Sequence, residues 1–261
     1  MAKGVWKVSL ACLLAASWFL SPVVVGAGPP LPSTTVAQAG ELAAVERIVA
    51  STNALRSQVG APPVREIVYL HKAAEGHSRE MLELDFFSHT SPTPGREKTK
   101  NRVQLADGWD TKVGENIYRS TGVKLDALAD RVMAAWQRSP THYKILTSPD
   151  FNSIGIGIIP KGNEFAITQV FSYQAIAVEE MVAVPTGGGY SLTFEGVVRD
   201  GARQGGLFVN NTFKESFQAD GNGRFQVRAS VPSGAAISVS QKKGENKYAQ
   251  SLAFPIEAAR K

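Results

Sequence analysis

The chain has 261 residues, 43% of them hydrophobic and 20% charged, with a formal net charge of +5. This composition excludes a disordered or fibrous protein and suffices for one large or two modest globular units. Basic residues are interspersed with acidic ones, as in Arg96-Glu97-Lys98 and Lys242-Lys243-Gly244-Glu245; without a one-sided basic stripe, nucleic acid is not expected among its partners.

The opening stretch reads as a secretory signal over residues 1–27. Lys3 and Lys7 precede an apolar run from Val8 to Leu20, and Ser21-Pro22 leads to the small residues Val25-Gly26-Ala27, the order of charge, apolar core and cleavage site of an exported chain. Cleavage is expected after Ala27, with Ala37-Gln38-Ala39 as the second choice. The apolar run is shorter than the ~20 residues a membrane-crossing helix needs, so no stable span is expected after cleavage. Losing Lys3 and Lys7 takes the charge from +5 to +3, and losing Cys12, the only cysteine, leaves a product with no thiol or disulfide. Such a product depends on its core, which a unit of more than ~100 residues can supply.

Residues 28–40, with Pro29-Pro30 and Pro32, read as a linker. A first helix is expected over Glu41–Ser57 from Leu42, Val45, Ile48, Val49 and Leu55, ended by Gly60 and Pro62-Pro63. A second, from Val64 to Leu84, aligns Ile67, Leu70, Ala74, His77, Met81 and Leu84. His77 reads equally as a hydrogen-bonded core residue and as a group facing whatever Phe86-Phe87-Ser88-His89 caps; His71 points elsewhere. Thr90–Val113, with Pro92, Pro94, Gly95 and Gly108, lacks periodicity and is expected as a long ordered loop, a kind that tends to be functional. Leu125, Leu128, Ala129, Val132 and Trp136 define a third helix, and Ser139-Pro140 caps and starts a fourth through Leu146.

Two strands, Ser153–Ile159 and Glu164–Tyr173, follow around the turn Pro160-Lys161-Gly162-Asn163. Helices mixed with antiparallel strands make residues 41–175 an α+β unit. From 178 to 261 short β-prone runs alternate with Gly, Asn, Asp and Pro: Met181–Val184, Tyr190–Val198, Gly206–Phe213, Arg224–Val231, Ala236–Gln241 and Tyr248–Ile256. That texture suggests a small all-β sandwich, immunoglobulin-like or similar. It contains no histidine or catalytic-looking cluster; Asn210-Asn211-Thr212 is formally a glycosylation sequon.

Three signatures concentrate the chemistry: Phe86-Phe87-Ser88-His89-Thr90-Ser91-Pro92, Gly114-Glu115-Asn116-Ile117 and Ser139-Pro140-Thr141-His142-Tyr143-Lys144-Ile145-Leu146. Each sets an imidazole or carboxylate among turn residues and apolar anchors, the arrangement that holds polar groups at a cleft edge. His89, Glu115, His142 and His77 are the candidate ligand-binding residues. His89, Glu115 and His142 have the atoms to hold Zn²⁺ with an open position for water, although the tight local spacing of zinc motifs is missing. Glu115 reads equally as a clamp that accepts backbone N–H groups of the long loop.

In order, Asn53-Ala54-Leu55-Arg56, Ala74 to Met81, Phe87-Ser88-His89, Gly114-Glu115-Asn116-Ile117, Trp136 with Ser139-Pro140-Thr141-His142, and Ile154-Gly155-Ile156-Gly157 resemble the bacterial branch of the CAP, or SCP-like, superfamily of secreted proteins over about Glu41–Tyr173. The resemblance implies an α-β-α sandwich, export from the cell and a cleft with two histidines and two glutamates. His89 and Glu115 match one of each; the second glutamate position holds Ser139 and the second histidine position, before Thr168-Gln169, holds Ala166. His142 offers an imidazole from another part of the backbone. Two functions of different class follow. One is a secreted, non-enzymatic binding module for a lipid, peptide or envelope component, with the β-sandwich as adhesive or spacer. The other is a metal-assisted hydrolase of peptides or cell-wall material.

Overall fold

A computed structural model of the protein describes residues 6–9, 36–110, 112–199, 201, 203–245 and 247–255. The expected leader and its cut after Ala27 lie outside these residues, apart from strand β1 (Trp6–Ser9). Helix α1 (Val36–Gln58) begins five residues before the expected Glu41, so the second-choice cut and the end of the expected linker fall within a helix.

Strand β2 (Arg65–Glu66) and helix α2 (Val68–Glu83) divide what the apolar spacing joins into one helix from Val64. The cause is tertiary: the N–H of Arg65 donates to the Asn152 carbonyl and that of Ile67 to the Ile154 carbonyl, each at 3.0 Å, which pulls these residues into extended backbone. The expected loop 90–113 contains helix α3 (Thr99–Leu105). Its buried residues are Arg102 and Val103, and a periodicity that counts apolar residues is blind to an inward-facing arginine.

The segment with Glu115 is a strand, β3 (Val113–Thr121). Helices α4 (Leu125–Arg138) and α5 (Pro140–Thr147) fall where expected. Pro140 occupies the first helical turn, but the Ser139 side chain makes no cap; its carbonyl accepts the Tyr143 N–H at 2.8 Å instead.

Strands β4 (Ser153–Lys161) and β5 (Glu164–Ser172) form the expected hairpin and complete a sheet in the order β2-β4-β5-β3. Alternation along them sorts the helices into layers. Ile154, Ile156, Ile158, Ile167 and Phe171 pack with Ile48 of α1 and Leu128 and Val132 of α4. Val170, on the opposite face, packs with Leu70, Ala73 and Ala74 of α2. The approach of α2 depends on two glycines: a Cβ on Gly155 would lie 2.2 Å from the backbone carbon of Leu70, and one on Gly157 would lie 2.1 Å from the Glu75 nitrogen. Only glycine permits this contact.

The remaining strands are β6 (Ile176–Thr186), β7 (Gly189–Val198), β8 (Gln204–Val209), β9 (Thr212–Gln218), β10 (Arg224–Pro232), β11 (Ala236–Gly244) and β12 (Lys247–Pro255). They make two antiparallel sheets, β1-β6-β7-β10 and β12-β11-β8-β9. Leu192, Phe194, Leu207, Phe225, Val227 and Val239 belong to the core between them. The single run expected over Gly206–Phe213 is a hairpin, turned at Asn210 and Asn211 with φ of 50° and 62°, a left-handed pair asparagine tolerates well. Among the described residues no helix is long and apolar enough to cross a membrane.

Replacement of Gly157 by Ala is expected to cost about 3 kcal/mol, because backbone rather than a flexible side chain must give way. Replacement of Gly187, whose Cβ position is open, should stay within about 0.5 kcal/mol. Denaturant titration of the two variants checks the difference.

Candidate functional site

Among the described residues strand β3 pairs with β5 alone, in the register Glu115↔Val170 and Asn116↔Gln169. It therefore lies at the sheet edge, where successive side chains reach opposite helix layers. Glu115 turns toward α2 and α3, and Asn116 toward α1 and α5. The free edge is covered in part by Trp136, whose indole N–H donates to the Ile117 carbonyl at 3.0 Å.

Glu115 is the centre of the first group and is only 6% exposed. Its Oε2 accepts from Arg102 Nη2 at 2.7 Å, and its Oε1 accepts from His89 Nδ1 at 2.9 Å. Burial alone would raise the pKa of this carboxyl. The His89 hydrogen bond and the charges of Arg102 and His77 outweigh burial and hold it below the ordinary carboxylate range. An ionised Glu115 fixes the tautomer of His89: Nδ1 carries the proton, and Nε2 keeps a lone pair on a side chain 55% exposed. A carboxylate behind an imidazole in this way orients the ring.

Arg102 supplies the rigidity. Besides Glu115, its guanidinium donates to the carbonyls of Arg96 (2.8 Å), Glu97 (3.2 Å) and His89 (3.2 Å) and to Thr99 Oγ1 (3.2 Å). The loop carrying His89 is thus tied to the strand carrying Glu115 through one buried side chain. Neither the length of the loop nor its composition announces this arginine; a charged residue in a stretch without apolar periodicity reads as solvated.

His77 resolves toward the core. It is fully buried, its Nε2 donates to the Ser88 carbonyl at 3.0 Å, and it lies 3.9 Å from Glu115 Oε1. Burial, with Arg102 nearby, lowers its pKa despite the neighbouring carboxylates. Phe86 packs on its ring at 5.8 Å. His71 does point elsewhere: Nδ1 accepts the Ile156 N–H at 3.1 Å, and Nε2 pairs with Glu66 at 3.2 Å.

His142 arrives from the opposite layer. Asn116 Nδ2 reaches the His142 carbonyl at 3.5 Å and Gln169 Oε1 at 3.0 Å, and Gln169 donates in turn to Thr52 Oγ1 at 3.1 Å. This buried chain of amides seats α5 against β3. Burial and then the charge of His89 lower the pKa of His142. Ala166 sits in an apolar cluster with Met81, Leu82 and Ile117. After His89, the imidazole interacting most directly with Glu115 is that of His77 on α2.

These placements bear on metal. Among the described residues no group of three or more His, Cys, Asp or Glu side chains is arranged to hold an ion. Both oxygens of Glu115 are engaged and one faces a guanidinium, so the carboxylate stands behind His89 rather than beside it. The donors left for a cation are His89 Nε2 and His142. Two open hollows, of about 540 and 580 Å³, lie on the paired sheets beside Asp220 and beside Lys242, away from the histidines.

Residues 49–173 match the model of the Cysteine-rich secretory protein family, CAP. YkwD of Bacillus subtilis is 31% identical over 132 residues, which are 50% of this chain and 48% of that protein, so the chain spans about half its length. An extracellular SCP-domain protein of Bacillus anthracis superposes with a TM-score of 0.46 at 28% identity, over 57% of this chain and 45% of that one. An outer surface protein of Borrelia burgdorferi gives 0.44 at 20% identity, over 50% and 92% respectively.

Removing Arg102 with Met should cost about 3–5 kcal/mol, since Glu115 would remain buried without its counter-ion. Adding Glu115→Gln to that variant should recover part of the loss, a coupling that a double-mutant cycle measures. Because the folded pKa of Glu115 is depressed, its contribution is complete above the unfolded carboxylate value and disappears as pH falls through the folded one. Glu115→Gln alone should therefore be less stable near pH 7 and lose stability less steeply on acidification, as denaturant curves from pH 7 to 3 would record.

Proposed function

We propose, for a chain whose residues 49–173 are a domain of the bacterial CAP superfamily, that the protein is an exported, non-enzymatic binding module. Its His89 face receives a lipid, peptide or envelope component outside the cell. His89 makes the polar contact through Nε2, Glu115 and His77 back it, and His142 borders it from α5. Phe87 and Tyr143, 55% and 36% exposed beside His89 and His142 in the chain, supply apolar contact of a kind aromatic side chains give at low entropic cost. The second unit, residues 178–261, serves as an immunoglobulin-like spacer or adhesive element in this reading.

The observation that carries the proposal is the full engagement of Glu115. A hydrolase needs a carboxylate free to take a proton from water or to bind a metal. Here the carboxylate that backs His89 is committed to Arg102 and His89, and Ser139 stands where the family pattern has a second. What survives is a positioned imidazole with one open nitrogen, suited to accepting or donating a single hydrogen bond. Zinc-assisted hydrolysis remains the competing function and would have to run on His89 and His142 alone.

Nitrogen-detected NMR of the imidazoles tests the choice, with a short-chain phospholipid, a tripeptide and a muropeptide as probes. One probe should shift the His89 Nε2 resonance, and His89→Ala should weaken its binding about tenfold, the worth of one hydrogen bond. A chelator should leave that binding unchanged. Stoichiometric zinc in the purified protein, with chelator-sensitive cleavage of the tripeptide or muropeptide, would establish the hydrolase instead.

A further inference from the structure

Between α3 and β3 the chain passes a group of buried polar side chains that the proposed function does not use. Gly108 lets the Tyr69 ring of α2 come against the backbone, since a Cβ there would lie 2.3 Å from the ring Cδ2. The hydroxyl of that ring donates to Asp110 Oδ2 at 2.5 Å and accepts from Gln174 Nε2 at 3.0 Å. Gln174 is fixed in turn by Asn152, whose Oδ1 accepts its backbone N–H at 2.8 Å and whose Nδ2 donates to its carbonyl at 3.0 Å.

Three oxygens of this group share one condition. Asp110 Oδ1, Gln174 Oε1 and Ser172 Oγ are buried without a hydrogen-bond partner, on residues 0%, 7% and 0% exposed. The first two belong to head groups bonded to the same Tyr69 hydroxyl. The third comes from the end of β5 and acts on the Asp110 carboxyl without completing a hydrogen bond to it. Native interiors leave few such atoms unpaired, and an ionised carboxylate is the costliest of them.

We propose that these three oxygens hold an alkali-metal cation, sodium or potassium. Asp110 needs a positive charge, because its bonded oxygen meets only a neutral hydroxyl and its other oxygen meets no donor. A proton supplies that charge in acid alone: burial raises the pKa from 3.8 to about 6, against the pull of Tyr69, Ser172 and Arg199, so at higher pH the carboxylate is ionised. Water brings hydrogens but no charge. A hard cation with oxygen ligands answers both needs.

Charge also selects the class of ion. One carboxylate balances one positive charge, and a calcium or magnesium ion would carry a second into the interior uncompensated, on a site that the Arg199 guanidinium already influences. Calcium moreover takes ~6–8 oxygens. Lys112, two residues beyond Asp110, is engaged with Asp150 at 2.6 Å. Proton and cation compete for Asp110, so the cation is held above about pH 6 and displaced as pH falls below it.

Denaturant titration of the full-length protein in chloride salts of equal ionic strength reads the site. At about pH 7.5 the unfolding equilibrium constant should be lower in sodium or potassium than in choline, by about tenfold once the cation stands at ten times its dissociation constant; at about pH 4.5 the salts should be equivalent. Asp110→Asn, which keeps an acceptor for Tyr69 but no charge, should abolish the difference. Ser172→Ala should weaken the cation's hold severalfold while leaving stability in choline nearly unchanged, and it decides if Asp110→Asn fails to fold. Crystals soaked in thallium(I) acetate should show an anomalous peak among Asp110, Ser172 and Gln174. Equal stability in all three salts at the higher pH, an undiminished response in both variants, a larger response to calcium than to either alkali metal, or water alone at the site in the thallium crystals overturns the proposal.

Discussion

One buried ion pair organises the site. Arg102 and Glu115 meet at 2.7 Å with side chains 1% and 4% exposed, and neither charge is tolerable there without the other. The pair therefore dictates more than its own geometry: wherever β3 places Glu115, the loop from Arg96 to Thr99 and the His89 carbonyl must gather round the guanidinium. His89 is positioned as a consequence, with a polarised ring whose outer nitrogen meets solvent. A lone carboxylate at this depth would have taken up a proton, and the imidazole would have lost its partner.

The edge position of β3 is the second constraint, and it explains how residues from opposite layers come to border one another. In the middle of a sheet, Glu115 and Asn116 would serve two separate cores. At the edge, the layer holding α2 and α3 and the layer holding α1, α4 and α5 both overhang the strand, so that Glu115 holds His89 on one face while Asn116 reaches the His142 carbonyl on the other. The amide chain from Thr52 through Gln169 and Asn116 then does for α5 what Arg102 does for the loop. Asn116 Oδ1 is left without a partner, so α5 is seated by the bonds that Asn116 Nδ2 and Gln169 do make.

How much of this was legible in the residues depended on what kind of force acted. Apolar periodicity located α1, α2, α4 and the β4–β5 hairpin, because their buried faces are built from Leu, Ile, Val, Met and Trp. It failed at β2, which exists only because β4 offers Asn152 and Ile154 as partners, and at α3, whose inward residue is an arginine. It failed again at β3, where the buried positions include Glu115 and Asn116. The short signatures marked His89, Glu115 and His142 as worth attention, since turn residues beside imidazoles and carboxylates are uncommon in plain core. They did not show that Glu115 stands behind His89, nor that His77 closes the back of the group, because both facts depend on Arg102 and on register.

Buried arginines account for how a chain with a single cysteine holds its long connections without disulfides. Long connections ordinarily need a tether, and the connections here have one each. Arg102 fixes the stretch between α2 and β3. Arg56, fully buried in α1, donates to the carbonyls of Pro62, Leu146 and Phe151 at 2.7, 2.8 and 2.8 Å, joining the turn after α1 to both ends of the segment between α5 and β4. Each bond to a charged donor gives about 1.5–3 kcal/mol, so three of them, less the cost of burying the guanidinium, approach the ~4–5 kcal/mol of a disulfide closing a loop of that length. The two devices differ in what can undo them. A disulfide yields to a reductant, whereas a guanidinium, ionised at every accessible pH, yields only when its carbonyls are pulled away. These connections are therefore indifferent to redox conditions and as durable as the core around them, which leaves protonation of Glu115, the partner of Arg102, as the chemical variable to which this site responds.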